Sequence, residues 1–326
     1  MLVFVPDGYY GMLATRRSLR FIERIIESES IDIVHAHMAD AAFLGWLAAR
    51  KRRLPLVITH HGPDILPDCD GGFFCRSIYA ILLGFAARYA RCNVAVAPAV
   101  AGVLNRRLGL GRNRIEVITN GVPVPEQAAA ADTGRSGRMH VVSVGRLVAM
   151  KGQDQLIAAA ATLASQGADP RLFIVGDGPG RESLRQQADA LGLGDRVVFT
   201  GVVDDVSVYL RQADVFVSAS HEEGMPLCVL EAMAWHLPVI ASDIAGHRSL
   251  IGHGETGLLY PLGDVHALAL AIRRVIDEPG PARERARHAR RLVEERFSID
   301  ASARAYDHLY AGILRNARRR GEIPTA

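Results

Sequence analysis

Short apolar runs rich in β-branched residues alternate along the chain with longer stretches of helical period. In the first part, such runs predict strands at residues 2–6, 31–36, 56–59, 94–97 and 115–118. Helices are predicted between them near 15–29, 41–52, 73–89 and 100–108. The second part predicts strands at 140–144, 172–175, 197–200, 215–218, 239–241 and 258–260, with helices near 153–165, 180–191, 206–213 and 226–235. Three more helices are expected after Gly263. Nearly continuous apolar strands alternating with helices imply parallel sheets covered on both faces.

The two series are separated by Pro123-Val124-Pro125-Glu126-Gln127, an alanine run and Thr133-Gly134-Arg135-Ser136-Gly137, which reads as a linker. The pattern therefore predicts an α/β chain of two doubly wound domains. The first covers residues 1–123 and the linker 124–138; the second covers 139–300, and a C-terminal helix over 301–326 packs back on the first domain. Ligands of such pairs bind at strand carboxyl ends, in the cleft between the domains.

Composition narrows the function. At 326 residues, 49% hydrophobic and 22% charged, the chain is long enough to bury two cores. A net charge of +3 is too small for a dedicated nucleic-acid binder. The basic residues cluster at Arg16-Arg17, Lys51-Arg52-Arg53, Arg106-Arg107 and Arg318-Arg319-Arg320. These read either as solvated helix ends or as contacts to an anionic membrane surface. Cys69, Cys75, Cys92 and Cys228 show neither metal-ligand spacing nor a disulfide framework, which fits a reducing cytoplasm. Leu2-Val3-Phe4-Val5 is too short for the apolar core of a signal peptide, and no run of 18 apolar residues offers a membrane span. Residues 78–90 come nearest; Arg88 interrupts them, and they read as a buried or interfacial helix.

The chemistry concentrates in the second half. Glu223 and Glu231 lie eight positions apart around a strand-to-helix turn, with Gly224 in the loop and Pro226 suited to the first helical turn. Free N–H groups of Gly224, Met225 and Leu227 at the helix start would hold an anion, and the two carboxylates would hold hydroxyls. A phosphorylated sugar carries both groups. The run Gly145-Arg146-Leu147-Val148-Ala149-Met150-Lys151-Gly152 places a guanidinium and an ammonium five residues apart, suited to two phosphates without a metal. Gly176-Asp177-Gly178-Pro179-Gly180 invites a dinucleotide reading, but the third glycine of that motif falls at Arg181. No acidic residue ends the following strand, so a nicotinamide enzyme is disfavoured.

Together these pieces resemble the retaining glycosyltransferases of family 4, whose architecture, GT-B, pairs two Rossmann-like domains. The residues that carry the resemblance are Gly145-Arg146…Lys151-Gly152, Gly176-Asp177-Gly178-Pro179, Val197-Val198-Phe199-Thr200-Gly201, Glu223-Gly224-Met225-Pro226…Leu230-Glu231-Ala232-Met233 and Gly254-Glu255-Thr256-Gly257-Leu258-Leu259. In the first half they are Asp32-Ile33-Val34-His35-Ala36-His37, Thr59-His60-His61-Gly62 and Ile118-Thr119-Asn120-Gly121-Val122.

The resemblance implies that Arg146 and Lys151 neutralise the diphosphate of a nucleotide-sugar donor as its glycosidic bond breaks. It implies that Glu231 holds the ribose hydroxyls and that Glu223 bonds the transferred sugar. Gly178 and the amides of Gly224, Met225 and Leu227 would complete the phosphate cradle, and the base would lie against the strand end that contains Val198. His61 resembles the family histidine that reaches the donor sugar near the acceptor, although a strand-end histidine with satisfied hydrogen bonds is the alternative. His35 and His37 read as structural. The first domain would bind the acceptor, a glycan or a lipid-linked glycan of cell-envelope polysaccharide assembly. No metal and no cofactor is expected, and Asp68-Cys69-Asp70 reads as a solvated loop.

Two departures stand out. Ser249 occupies a position where the family usually has an acid. The family's first strand and glycine-rich loop have no counterpart before the strand expected at 2–6, as if two or three βα units were missing, at roughly 30 residues per βαβ unit. The expectation is an incomplete first domain and poor transfer. An impaired nucleotide-sugar binding protein and a sugar-nucleotide epimerase of the same fold are the alternative functions.

Overall fold

The computed structural model describes residues 12–62, 72–111, 114–126 and 138–321. The strand expected at 2–6, the alanine-rich stretch and the Asp68-Cys69-Asp70 triplet lie outside them. The chain divides into two compact units, one formed by residues 1–119 with 303–326 and the other by residues 120–302.

The first unit holds a four-stranded parallel sheet in the order β1 (Val34–His37), β2 (Leu56–His60), β3 (Cys92–Ala95), β4 (Ile115–Val117). Helices α1 (Met12–Ser28), α2 (Met38–Arg52), α3 (Gly72–Tyr89) and α4 (Pro98–Leu108) alternate with the strands. The first strand starts three residues later than its apolar run suggests. The ladder opens only where Val34 N–H donates to Pro55 C=O at 3.0 Å, and it runs on to His37 opposite Thr59. All five residues of β2 are buried. The last helix, α12 (Ile299–Arg319), returns to this unit: Ala305, Tyr306, Leu309, Tyr310 and Ile313 pack against Val57, Val94 and Ile118.

The second unit is a six-stranded parallel sheet of β5 (Met139–Val144), β6 (Pro170–Val175), β7 (Val197–Gly201), β8 (Val215–Ser218), β9 (Val239–Ser242) and β10 (Leu258–Tyr260). Its spatial order is β10-β9-β8-β5-β6-β7. The chain therefore winds outward from β5 in one direction and then from β8 in the other, and the sense of winding reverses between these two neighbours. In open α/β sheets ligands bind at the carboxyl ends beside such a reversal. The core beneath is aliphatic: Val141, Leu172, Ile174, Val215, Val217 and Ile240 are at most 1% exposed. Each contributes about 1.5–3 kcal/mol by leaving water.

Helices α5 (Gln153–Ser165), α6 (Arg181–Ala190), α7 (Ser207–Leu210), α8 (Leu227–Ala234), α10 (Val265–Asp277) and α11 (Pro279–Arg296) match the periodic stretches of the sequence. A short α9 (Ala245–Arg248), which the periodicity does not announce, follows β9. Pro226 is not inside the first turn of α8 as expected. Its ψ of 110° is extended, so it caps the helix, and its carbonyl accepts the first bond from Leu230 N–H at 3.4 Å.

Candidate active site

Two loops flank the reversal point, and small residues bring them together. The loop after β5 runs from Gly145 to Gly152 and the loop after β8 from Ala219 to Pro226. At Gly152, φ is +64° and a Cβ would strike the Ala219 carbonyl, so the crossing requires glycine. His221 N–H donates to Met150 C=O at 2.8 Å, and the Gln155 amide meets the His221 ring at 2.9 Å. The turn after β6 lies on the same loop: Gly180 N–H donates to Leu147 C=O at 2.8 Å, and Leu147 N–H to Asp177 C=O at 3.0 Å.

This crossing joins three of the expected site residues. Lys151 Nζ donates to Glu223 Oε1 at 2.5 Å, and Ser220 Oγ donates to the same oxygen at 2.7 Å. The stem of Lys151 lies along Gly145. Arg146 is exposed on the same loop, and its carbonyl is held by the Gln153 amide at 3.1 Å. The two cations are thus not equivalent: Lys151 is already ion-paired, whereas Arg146 extends into solvent.

Glu231 is the fifth residue of α8 and is half-buried. Burial raises its pKa above the ordinary 4.5, and no described residue donates a hydrogen bond to its carboxylate. A half-buried acid that no described protein group bonds leaves its oxygens open to donors from water or a ligand. Among the described residues, none accepts from the N–H groups of Gly224 and Met225 in the loop before α8 or of Leu227, its first residue and an orphan donor of the helix start. Gly224 and Met225 are buried and Leu227 is exposed. Gly178 is different. Its N–H donates to Asp177 Oδ1 at 2.8 Å, and its lack of a Cβ lets the turn pass over Leu147. Val198 is half-buried on β7 beside Phe173 of β6.

Sequence reasoning missed the polar groups beneath Glu223. Ser218, Ser220, Ser242 and His247 are all at most 5% exposed. Cys228, half-buried on α8, has its thiol pushed up to about 12, by burial first and then by the nearby Glu223 carboxylate. Only Ser220, three residues before Glu223, could have been picked out, as a hydroxyl within reach of the acid. Ser249, at the family's acidic position, donates to Gly246 C=O at 2.6 Å and simply closes α9.

In the first unit, His61 sits just beyond β2 and is not alone. Its Nε2 lies 2.9 Å from His37 Nδ1, and the rings stack with centroids 5.2 Å apart. His35 stacks on His37 at 4.3 Å and bonds Tyr310 Oη at 2.5 Å and Thr59 Oγ1 at 2.8 Å. Period-two spacing puts His35 and His37 on one face of β1, and register puts Thr59 opposite His37. The signal was therefore present in the sequence. Burial, then the neighbouring imidazoles, lowers His35 to about 3 and His61 to about 4, so both are neutral at pH 7. His60 points to the other face, where it meets Asn93 Oδ1 at 3.2 Å.

The family model described as glycosyl transferases group 1 matches residues 127–293, and that of glycosyltransferase family 4 matches residues 2–125. The alpha-D-kanosaminyltransferase of Streptomyces kanamyceticus is 30% identical over 335 residues, covering 95% of this chain and 85% of that enzyme. The UDP-Gal:alpha-D-GlcNAc-diphosphoundecaprenol alpha-1,3-galactosyltransferase of Escherichia coli is 29% identical over 291 residues, 84% of this chain and 74% of that enzyme. Among solved structures, HepE of Anabaena in complex with UDP superposes with a TM-score of 0.78 at 22% identity, over 92% of this chain and 82% of that one. The chain belongs to the family 4 glycosyltransferases, with a group 1 glycosyl transferase region over its second unit and the GT-B fold.

Proposed function

We propose that this glycosyltransferase is retaining and metal-independent, and that its second unit binds the nucleotide-diphosphate-sugar donor. The observation that carries the reading is Glu231: a half-buried carboxylate with no donor in the described structure, on the same short helix whose first amides are unbonded. A ribose diol supplies donors to the acid, and a diphosphate supplies acceptors to the amides. Lys151 and Arg146 neutralise the diphosphate as the sugar C1–O bond breaks, a task that a divalent metal performs elsewhere. Glu223 accepts a hydroxyl of the transferred sugar. The acceptor oxygen bonds to C1 and its proton passes to the departing phosphate oxygen. His61, neutral at pH 7, is the residue of the first unit assigned to the sugar and acceptor side.

The E. coli relative uses a UDP-sugar and an undecaprenol-linked acceptor by name, and the Anabaena protein was solved with UDP. By that analogy the donor here is a UDP-sugar and the acceptor a lipid-linked or free glycan of the cell envelope. Calorimetry with UDP and GDP, with and without EDTA, tests the donor half. Failure of the chain to bind any nucleoside diphosphate defeats the reading, and loss of binding with EDTA defeats metal independence.

The first unit is further proposed to dock on the inner, anionic face of a membrane. Ile81 and Phe85 on α3 are 59% and 57% exposed, Phe85 stacks on Trp46 of α2, and Arg50 lies over the Trp46 ring. An apolar face edged by cations complements an anionic bilayer. Among the described residues no helix is long and apolar enough to cross one.

A further inference from the structure

We propose that Ser220 and His247 are positioning residues for Glu223, and that the two oxygens of Glu223 have separate tasks. Oε1 is the anchored oxygen; Oε2 is the one that receives the sugar hydroxyl. This deepens the donor reading above and rests on it.

Oε1 takes both bonds described for the carboxylate, from Lys151 Nζ and Ser220 Oγ. No described residue donates to Oε2. Below Oε1 runs a buried column of polar groups. The Ser220 carbonyl accepts from Ser242 Oγ at 2.5 Å. Ser242 Oγ also lies 3.1 Å from His247 Nδ1, and the Ser242 carbonyl lies 2.8 Å from the same nitrogen. A carbonyl can only accept, so Nδ1 carries the proton. Burial lowers the pKa of His247 and keeps the ring neutral, so its Nε2 accepts from Ser218 Oγ at 3.0 Å. The column thus has one consistent direction of donation, tying the ends of β8 and β9 together. Gly246, next to His247, presses on the Glu223 backbone so closely that a Cβ would strike the Glu223 carbonyl. Side chain and backbone of Glu223 are therefore both restrained, the first by Lys151 and Ser220 and the second by Gly246.

The arrangement matters because Lys151 is shared. A diphosphate that engages Lys151 loosens one of the two bonds to Oε1. Ser220 is the anchor that the donor does not compete for, and it keeps Oε2 aimed while the phosphates bind. A hydroxyl at position 220 should then affect the sugar but not the nucleotide.

The test compares Ser220→Thr with Ser220→Val, which are close in shape and differ in the hydroxyl; Ser220→Ala serves if valine prevents folding. Affinities for UDP, GDP and their glucose or mannose conjugates are measured by calorimetry. Turnover of the bound conjugate, as transfer or hydrolysis, is measured beside the melting temperature. The expected result is that Ser220→Val binds the nucleoside diphosphate within twofold of the parent. It should lose at least tenfold in turnover and most of the conjugate's preference over the diphosphate, and Ser220→Thr should restore both. His247→Leu should lower turnover in the same way, with His247→Asn retaining more. Equal turnover of the Thr and Val variants overturns the proposal, as does a parallel loss of diphosphate affinity. If the parent binds no nucleotide, the donor reading itself fails and this inference with it.

Discussion

Lys151 and Glu223 lie 72 residues apart in sequence, yet Nζ and Oε1 are 2.5 Å apart. They stand on the loops after β5 and β8, the two neighbouring strands between which the winding of the sheet reverses. The side chain of Lys151 is 24% exposed and that of Glu223 13%, so the pair is neither a screened surface bridge nor a sealed one. In the proposed donor complex it holds a cation for the diphosphate's negative charge.

Removing either cation should weaken nucleoside diphosphate binding. Arg146→Ala and Lys151→Ala should each cost about 1.5–3 kcal/mol, the range for hydrogen bonds to charged groups. Lys151→Ala should also lower the melting temperature, because Glu223 then loses a partner in a mostly buried setting, whereas the exposed Arg146 can be removed without that penalty. Titration calorimetry of both variants checks the affinities. Unchanged affinity in both would remove the phosphate cradle from this loop.

Glu231 should trade stability for binding. Its folded pKa is raised above the unfolded value by burial, so the folded protein binds this proton more tightly than the unfolded chain. Below about pH 4.5 both states are protonated and nothing is lost; as pH rises through the folded pKa, ionising the half-buried acid destabilises the fold. Glu231→Gln should therefore melt higher than the parent at pH 7 and equally at pH 4, while binding nucleotide more weakly. A variant that melts lower at pH 7 would show that Glu231 has donors of its own.

Much of this was legible because strands buried on both faces leave long apolar runs, and because Gly152, Pro226 and Glu231 have meaning at fixed spacing. What escaped is what long-range contact decides. The Lys151–Glu223 pair needs β5 beside β8, an adjacency that no local pattern encodes. His247 owes its place to the parallel pairing of β8 with β9 and to a one-turn helix too short to show a period. His37 reads as structural from its own spacing, and its pairing with His61 escaped because that depends on the register of β1 against β2.

The imidazole stack should make the first unit acid-labile. His35 and His61 fall from the ordinary 6.5 to about 3 and about 4 in the fold. Depressed values mean that the unfolded chain binds these protons first. The stability is fully present above pH 6.5 and is lost as pH falls from there towards 4 and 3. The chain has two tryptophans, Trp46 in the first unit and Trp235 in the second, so Trp235→Phe leaves a reporter for the first unit alone. Its melting temperature should fall between pH 6.5 and 4, and His35→Gln should flatten that slope even while lowering the plateau. An unchanged slope would mean the rings do not control it.

If the exposed face of α2 and α3 docks on an anionic bilayer, vesicle binding should rise with the anionic lipid fraction and fall with salt. Each basic residue near such a surface contributes about 1 kcal/mol. The double variant Ile81→Ser, Phe85→Ser should release the protein from vesicles without altering nucleotide affinity. Equal binding to neutral and anionic vesicles would count against the surface.

Gly152→Ala tests whether the crossing of the two loops, rather than the residues on it, builds the site. The position has φ of +64°, where a non-glycine residue is strained, and a Cβ there would collide with the Ala219 carbonyl. The first effect costs on the order of 1–3 kcal/mol for a residue held in the left-handed region. The second adds to it, because backbone cannot move aside as a flexible side chain does. Relief requires the stretch from Ala219 to Glu223 to retreat from the loop after β5, which breaks the His221–Met150 bond and separates Glu223 from Lys151. The variant should melt lower than the parent and should also lose donor affinity more than tenfold, although residue 152 presents no group to a ligand. Lower stability with undiminished affinity would show that the loops need not touch for the donor to bind.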